Sequence, residues 1–201
     1  MTVKTLYLMR HGETRFNQLH RIQGASDSPL TATGIKQAQQ ARAFIESVTF
    51  DHAYSSTQER ASDTLEIVTA GQMPYQRLKG LKEYDFGVFE GQSEQLNPKI
   101  VGKNGYGDFF VQFGGESADQ VAHRMAQTIT AIMNQEDHQQ VLIVSHGGAI
   151  FSFARLYFDA VKILGQGFKN LSTLIFTFDT DTQTFTYQQV LTLASLPSSA
   201  D

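Results

Sequence analysis

Two stretches of the chain place a histidine and a glycine at the end of an apolar run. The first, LYLMRHG, has Arg10 and His11 after the apolar residues, and the second, VLIVSHG, has His146 and Gly147 there. Apolar runs of this length are typical of buried parallel strands, and the glycine permits a sharp turn close to a ligand. We therefore expect both histidines at the carboxyl edge of one sheet, where such sheets bind ligands.

A third strand-like segment, HAYSS, leads to Arg60 at the start of a predicted helix. Arg10, Arg60 and the two histidines are therefore expected to converge. A guanidinium group can donate to two oxygens of a phosphate or carboxylate at once, and the helix after SHGG adds N–H groups at its positive end. A phosphate dianion fits this pocket, where a neutral imidazole can attack phosphorus and carry the phosphoryl group covalently.

A metal site is the main alternative for the histidines, with Glu13, Glu83 or Asp85 as further ligands. Two neighbouring arginines would repel a cation, and no ligand spacing such as HExxH occurs, so we expect no metal. Either histidine taken singly could equally be a hydrogen-bonded turn residue. The chain has no cysteine, which excludes thiol catalysis. It also has no GxSxG, P-loop or GxGxxG motif, so serine hydrolases and nucleotide-binding proteins lose their main support.

Strands and helices alternate along the chain. KTLYLM, FDHAYSS and QVLIVSHGG have the pattern of strands, and TLIFTFDTDTQTFTYQQVL that of a β-hairpin. Helical spacing marks IKQAQQARAFIESV, QERASDTLEIV and ESADQVAHRMAQTITAIM, and a further helix is predicted from about Ala149 to Asp159. This order predicts an α/β fold, a doubly wound, mostly parallel sheet with an antiparallel edge strand and helices on both faces. We expect a single domain over residues 1–201 with a loop-rich, aromatic cap at about 79–115.

The composition is that of a globular protein, with 41% hydrophobic residues and a formal net charge of -4. A negative net charge does not favour nonspecific binding to nucleic acid. No stretch approaches the ~20 apolar residues of a membrane helix, and the N-terminal apolar run is too short for a signal peptide. We expect a cytoplasmic protein that binds a small molecule and neither nucleic acid nor a membrane. The sequence leaves monomer and homodimer open.

Several motifs together resemble the histidine phosphatase superfamily, which has the phosphoglycerate-mutase-like fold. LMRHGET is followed by RIQGASDSPLTATG, YSSTQERASDT, LKEYDFGVFEGQS, GGES and VSHGG, in the order of that family. These blocks extend from residue 6 to about 150. As a set they are highly specific, whereas RHG alone would not be.

The resemblance implies a role for each matching residue. His11 would be the nucleophile, and Arg10, Arg60 and His146 would bind the phosphoryl oxygens and stabilise their charge. Glu83 would donate a proton to the leaving oxygen and then activate water; the nearby acids Asp85 and Glu90 are its rivals. The further candidates for substrate binding are Asn17, Gln23, Gly24 through its N–H, and Gly147. The family's hydrolysis needs no metal or organic cofactor.

Members of this family either release the phosphoryl group to water or pass it between substrate oxygens. A mutase also needs cations for a second anionic group, and between Tyr84 and His123 the chain offers only Lys99 and Lys103. The same region is rich in aromatic residues that favour an apolar leaving group, namely Phe86, Phe89, Tyr106, Phe109, Phe110 and Phe113. We therefore expect a phosphomonoesterase acting on small-molecule phosphate monoesters. A phosphoglycerate mutase and a catalytically weak phospho-ligand binding protein are the alternatives.

Overall fold

Six strands form one sheet in the computed structural model, which describes residues 2–99, 104–165 and 168–195. The strands are β1 (Val3–Arg10), β2 (His52–Ser56), β3 (Tyr75–Leu78), β4 (Gln140–Ser145), β5 (Thr173–Asp179) and β6 (Thr184–Leu191). Their order in the sheet is β3-β2-β4-β1-β5-β6. The first four of these pair in parallel, while β5 is antiparallel to β1 and to β6. The predicted α/β fold with its antiparallel edge is confirmed; β3, a short and largely exposed edge strand, was not predicted.

Helices connect the strands. They are α1 (Arg15–Gln18), α2 (Ala32–Glu46), α3 (Glu59–Val68), α4 (Ala118–Met133), α5 (Gly147–Ala154) and α6 (Ala160–Leu164). The helix predicted from about Ala149 to Asp159 is in fact α5 and the start of α6. His146 is the N-cap of α5, and Asp159 is the N-cap of α6, where its side chain accepts from the Lys162 N–H. A capping residue lies outside the helical backbone conformation, so one helix could not pass through Asp159.

Alternating side chains of the central strands face two separate cores. Leu6 and Leu8 of β1 pack with α4 and α5, whereas Tyr7 and Met9 pack with α2 and α3. Both faces of β1 and β4 are therefore covered, which accounts for their continuous apolar sequences. The helices on both faces hold the central strands rigidly, so that the residues at their carboxyl ends are placed precisely in relation to one another.

The segment from Lys79 to Gly115 contains short 3-10 helices and loops. The helices are Lys79–Leu81, Gly87–Phe89, Glu94–Leu96 and Val111–Phe113. This agrees with the predicted character of the segment, although Lys103 and its neighbours at 100–102 lie outside the described residues. Within the described part of the chain, no helix has the length and apolar character needed to cross a membrane.

Candidate active site

The two histidine-containing junctions lie side by side. In the parallel pairing of β1 with β4, Arg10 is opposite Ser145, and the rings of His11 and His146 are 5.2 Å apart between centroids. A cavity of about 330 Å³ opens at this edge of the sheet. Its wall includes Arg10, His11, Asn17, Gln23, Glu83, Gly147 and Gly148.

The His11 imidazole is neutral and has a defined tautomer. Its Nδ1 lies 2.7 Å from the carbonyl oxygen of Gly12, and because a carbonyl can only accept, Nδ1 carries the proton. Burial, reinforced by the positive charges of Arg60 and Arg10, holds the pKa of the His11 imidazole well below its ordinary value. The lone pair is therefore on Nε2 of a ring that borders the cavity, as a nucleophilic histidine requires.

His146 is also neutral, but its ring is engaged at both nitrogens. Arg60 Nε donates to Nδ1 at 3.1 Å, so the proton is on Nε2 and is donated to Ser56 Oγ, 2.7 Å away. Burial, followed by the charge of Arg60, holds the pKa of His146 well below its ordinary value. Both polar atoms of this ring are thus bound to protein groups.

Arg60 is fully buried and donates from all three guanidinium nitrogens. Besides His146, it donates to the carbonyls of Gly24 and Ser26, and it forms a 2.8 Å ion pair with Asp27. Neither Arg60 nor His146 belongs to the cavity wall. Arg10, His11, Arg60 and His146 thus lie close together, as expected. However, Arg60 and His146 form their hydrogen bonds with protein groups in this structure, whereas the resemblance implied hydrogen bonds to phosphoryl oxygens.

Glu83 occupies the N-terminus of α5. Its Oε2 accepts the Gly148 N–H at 2.9 Å, and its Oε1 accepts the Ala149 N–H at 2.6 Å. A Cβ on Gly148 would lie 2.9 Å from Glu83 Oε1, so the glycine allows this close approach. The helix N-terminus that was expected to receive a phosphate therefore already holds the candidate general acid at two of its N–H groups.

Two polar residues that the sequence analysis did not identify, Gln58 and Arg124, hold the backbone of Glu83. Gln58 accepts the Glu83 N–H at 2.9 Å and donates to the Gly24 carbonyl. Arg124 donates to the Glu83 carbonyl at 2.9 Å and pairs with Glu116, which in turn accepts the Asp85 N–H. Glu116 and Arg124 are eight positions apart near the start of α4, and this charge pairing was the only signal of their role.

The two rival acids have structural partners of their own. Glu90 accepts the N–H groups of Gly24, Ala25 and Ser26 at 2.8–3.1 Å, and Asp85 accepts the Gly87 N–H at 2.9 Å. Because the Gly24 N–H is donated to Glu90, it is not the ligand donor that the resemblance implied. Glu90 instead holds the loop at residues 24–26, in which the carbonyls of Gly24 and Ser26 accept hydrogen bonds from Arg60.

Asn17 and Gln23 border the cavity within a hydrogen-bonded network. Gln23 accepts the Thr14 hydroxyl at 2.6 Å, and Asn17 Oδ1 accepts the Thr14 N–H at 3.2 Å. Asn170, which sequence reasoning missed, donates to the His11 carbonyl at 2.9 Å and to Asn17. With its carbonyl end engaged, Asn17 has only amide N–H groups to offer a ligand.

Two arginines on the cavity wall lie outside the stretch from Tyr84 to His123, in which only Lys99 and Lys103 are cationic. Arg21 follows α1, and Arg155 is the C-cap of α5. The wall positions 147, 148, 151, 152 and 155 follow helical spacing along one face of α5. That spacing was the signal that could have placed Arg155 at the cavity.

Most of the aromatic residues of the segment pack against one another. Phe110 is completely buried and contacts the rings of Phe89 and Phe109 edge-on, at 5.5 and 5.0 Å between centroids. The aromatic residues of the cavity wall are Tyr84, Phe86, Tyr106, Phe151 and Phe168. Of the aromatic residues that the sequence analysis took to favour an apolar leaving group, Phe86 and Tyr106 belong to the cavity wall, whereas Phe89, Phe109, Phe110 and Phe113 do not.

The acids considered as metal ligands have protein donors as partners. Glu13 accepts the Thr31 hydroxyl at 2.6 Å, while Glu83 and Asp85 accept backbone N–H groups. A group of three residues with metal-ligating atoms within 4.8 Å of one another does occur elsewhere, at His52, Asp137 and His138. These residues precede or begin β2 and β4, at the opposite edge of the sheet from the cavity.

Comparisons with known proteins show which family the chain is similar to. The profile of the histidine phosphatase superfamily (branch 1) matches residues 6–190. The probable phosphoglycerate mutase GpmB of Proteus mirabilis is 36% identical over 154 residues, which cover 72% of this chain and 70% of that protein. Among solved structures, a phosphoserine phosphatase from Entamoeba histolytica in complex with 3-phosphoglyceric acid is 30% identical, with a TM-score of 0.73, over 96% of this chain and 100% of that one.

YhfR of Bacillus stearothermophilus is 29% identical, with a TM-score of 0.78, over 92% of this chain and 95% of that one. The relatives thus include proteins named as phosphatases and as mutases. The match covers nearly the whole described sheet and both histidine-containing junctions. The chain belongs to the histidine phosphatase superfamily.

Proposed function

We propose that this protein is a phosphomonoesterase that hydrolyses small-molecule phosphate monoesters through a phosphohistidine on His11. The observation that carries the proposal is the neutral His11 imidazole, whose Nδ1–H is held by the Gly12 carbonyl beside a cavity that also contains Arg10. A nucleophile must present a lone pair, and this tautomer presents it on Nε2. No metal or organic cofactor takes part in the proposed reaction.

In the first step, the Nε2 lone pair attacks phosphorus and the bond from phosphorus to the ester oxygen breaks. Glu83 gives its proton to the departing oxygen, which leaves as an alcohol. In the second step, water attacks the phosphohistidine, its proton passes to the Glu83 carboxylate, and the bond from nitrogen to phosphorus breaks. Glu83 ends each cycle protonated, and inorganic phosphate is released.

Arg10 supplies positive charge for the phosphoryl oxygens at the cavity wall, with Asn17, Gln23 and the backbone of Gly147 beside it. Arg60 contributes its positive charge to the site, and Arg60 and His146 bind the oxygens directly only if the ligand replaces their present acceptors. The segment at about 79–115 acts as a cap, since Glu83, Tyr84, Phe86 and Tyr106 all belong to the cavity wall.

A mutase is the second candidate, and two observations favour it. Arg21 and Arg155 provide the additional cations that the sequence search between Tyr84 and His123 did not find. One similar relative is named a probable phosphoglycerate mutase. The cavity wall thus offers both aromatic surface and positive charge to the part of the substrate beyond the phosphoryl group.

Two assays on the same preparation distinguish these reactions. A panel of metabolite monophosphates is screened for release of inorganic phosphate with and without EDTA, and interconversion of 2- and 3-phosphoglycerate is followed in parallel. We expect EDTA-insensitive phosphate release that vanadate inhibits. Isomerisation without net phosphate release would favour the mutase, tight binding without turnover would favour a phospho-ligand binding protein, and loss of activity in EDTA would contradict the metal-independent mechanism.

A further inference from the structure

Four residues of the cavity wall each have a buried polar atom without a hydrogen-bond partner among the described residues: Arg10 Nε, the Tyr84 hydroxyl, Asn97 Oδ1 and Arg155 Nε. Arg10 belongs to the reactive end and Asn97 Oδ1 can only accept, so the two donors left for another part of a ligand are Arg155 Nε and the Tyr84 hydroxyl. The Arg155 side chain is 10% exposed and Tyr84 is 2% exposed. Buried donors are destabilising when they are left unpaired, and a charged one especially so. Such a pair in a cavity that already has a candidate reactive end suggests that a ligand completes it.

Arg155 is well separated from the reactive end. Arg155 is seven residues after Gly148, whose N–H donates to the Glu83 carboxylate. Seven residues of helical rise correspond to about 10 Å along α5. Arg155 lines the cavity from the C-terminal end of α5, whereas Gly148 lines it near the N-terminal end. The group it binds is therefore a different part of the ligand from the phosphoryl group at His11.

The position of the guanidinium group is set from the other side by α4. Arg155 Nη2 donates to Asp119, whose side chain is 72% exposed. A solvated carboxylate neutralises a buried cation only in part, because water screens it. The wall also carries Arg10 and Arg21 as cations and Glu83 and Glu94 as acids.

Tyr84 completes the pair as a neutral donor. Burial raises the pKa of its hydroxyl, while the nearby charge of Arg155 acts in the opposite direction. The hydroxyl therefore keeps its proton at neutral pH and can donate a hydrogen bond. One charged donor and one neutral donor together favour a negatively charged acceptor.

We propose that Arg155 and Tyr84 form a subsite for a second anionic group, carried by the leaving group of the phosphate monoester. This inference rests on the proposed function and narrows its substrate class to monoesters with a carboxylate or a second phosphate remote from the ester bond. Phe86, Tyr106 and Phe151 enclose the carbon chain between the two ends.

The test is a matched series of substrates. The phosphate esters of ω-hydroxy acids with three, four and five carbons are compared with their carboxylate methyl esters, and propanediol bisphosphate with the monophosphate. The wild-type protein should prefer the charged member of at least one pair in kcat/KM. In Arg155→Gln that preference should fall by about 10–100-fold, the value of a charge-assisted hydrogen bond, and in Tyr84→Phe it should fall by less.

Arg42→Gln is the control, because Arg42 is a hydrogen-bonded arginine that donates to the Ile67 carbonyl and lies on α2, outside the cavity wall. The preference of this variant should equal that of the wild type. Arg155→Lys, which keeps the charge, should restore part of the preference even if Arg155→Gln folds poorly. A preference confined to the bisphosphate identifies the second group as phosphate. Equal ratios in wild type and Arg155→Gln for every pair would overturn the subsite, while turnover of the uncharged esters tests the proposed hydrolysis separately.

Discussion

The two histidines of the site come from the same sequence pattern and the same edge of the sheet, yet their surroundings differ. Among the described residues, the His11 ring has one hydrogen-bond partner, the Gly12 carbonyl, and the ring borders the cavity. His146 is bound at both ring nitrogens, by Arg60 and Ser56, and is not part of the cavity wall. The strand-to-turn pattern thus determines where a histidine lies, whereas side chains from β2 and α3 determine what it can do.

Removal of each histidine in turn tests this difference most directly, with the largest expected effect at His11. His11→Asn should abolish the acid-labile phosphoryl group trapped by rapid quenching with labelled substrate. Turnover should fall on the order of 10⁴-fold or more, as when other enzymes lose a covalent nucleophile. His146→Asn should still be labelled, with a smaller loss of turnover. Labelling of the His11 variant at the wild-type level would reverse the assignment of the two junctions.

Glu83 connects the two junctions, because it lies in the cavity beside His11 and binds the helix that follows His146. Proton donation matters most for a basic leaving group, so Glu83→Gln should slow single-turnover phosphorylation by alkyl phosphates by ~10²–10⁴-fold. The loss with p-nitrophenyl phosphate should be much smaller, since nitrophenolate departs without a proton.

Asp85→Asn is the matched control for Glu83, because Asp85 is a nearby acid whose carboxylate accepts the Gly87 N–H. It should affect both substrates equally and modestly. If Glu83→Gln slows both substrates to the same extent while Asp85→Asn distinguishes between them, Asp85 is the proton donor.

The two histidines should also make stability depend on pH. Burial and the nearby arginines hold the pKa of both imidazoles well below the ordinary value in the folded state, whereas in the unfolded chain they take up protons near pH 6.5. The unfolded state therefore binds more protons below about pH 6.5. The free energy of unfolding should fall as the pH drops from there, by up to about 1.4 kcal/mol per pH unit for each histidine.

Denaturant unfolding at several pH values between 7 and 5 measures this slope. Carboxylates contribute to it as well, so the informative quantity is the difference between the wild type and the double variant His11→Asn, His146→Asn. We expect a shallower slope in the double variant and an unchanged slope in His20→Asn, which alters an exposed side chain. Identical slopes in the wild type and the double variant would mean that the two histidines are not neutral in the folded protein.

Much of the fold was predictable because apolar strands and capped helices are local patterns. The edge of the sheet at which His11 and His146 meet also follows from parallel strands alone. Gln58, Arg124 and Asn170 were not predictable, since each is a single polar residue whose partner is more than 25 positions away in the chain or belongs to another element.

The aromatic segment shows the same limit. Its composition indicated a cap, but only packing separates Phe110 in the core from Tyr106 on the cavity wall. The count of cations between Tyr84 and His123 was correct, but it was incomplete for a related reason, because it covered one stretch of sequence. Arg21, which follows α1, and Arg155, the C-cap of α5, line the cavity from either side of that stretch in the sequence.

The smallest expected effect concerns the junction at His146, whose ring is bound at both nitrogens. Ser56 accepts the His146 Nε2–H, and both groups are buried. Ser56→Ala removes the acceptor of the His146 Nε2–H and of the Gln58 backbone N–H. The loss of this acceptor should lower the free energy of unfolding by about 1–3 kcal/mol. The neighbouring Ser55→Ala is the matched control: it is equally buried and of the same size, but its hydroxyl donates to the Ser56 carbonyl. The loss of stability in Ser55→Ala should be smaller, because the Ser56 carbonyl keeps a second lone pair for other donors.

Turnover of p-nitrophenyl phosphate by Ser56→Ala should fall less than in His146→Asn, since Arg60 still holds the ring at Nδ1. Equal stability losses in the two serine variants would show that the hydrogen bond to Ser56 does not hold His146 in place, and the contrast between the two histidines would then depend on Arg60 alone.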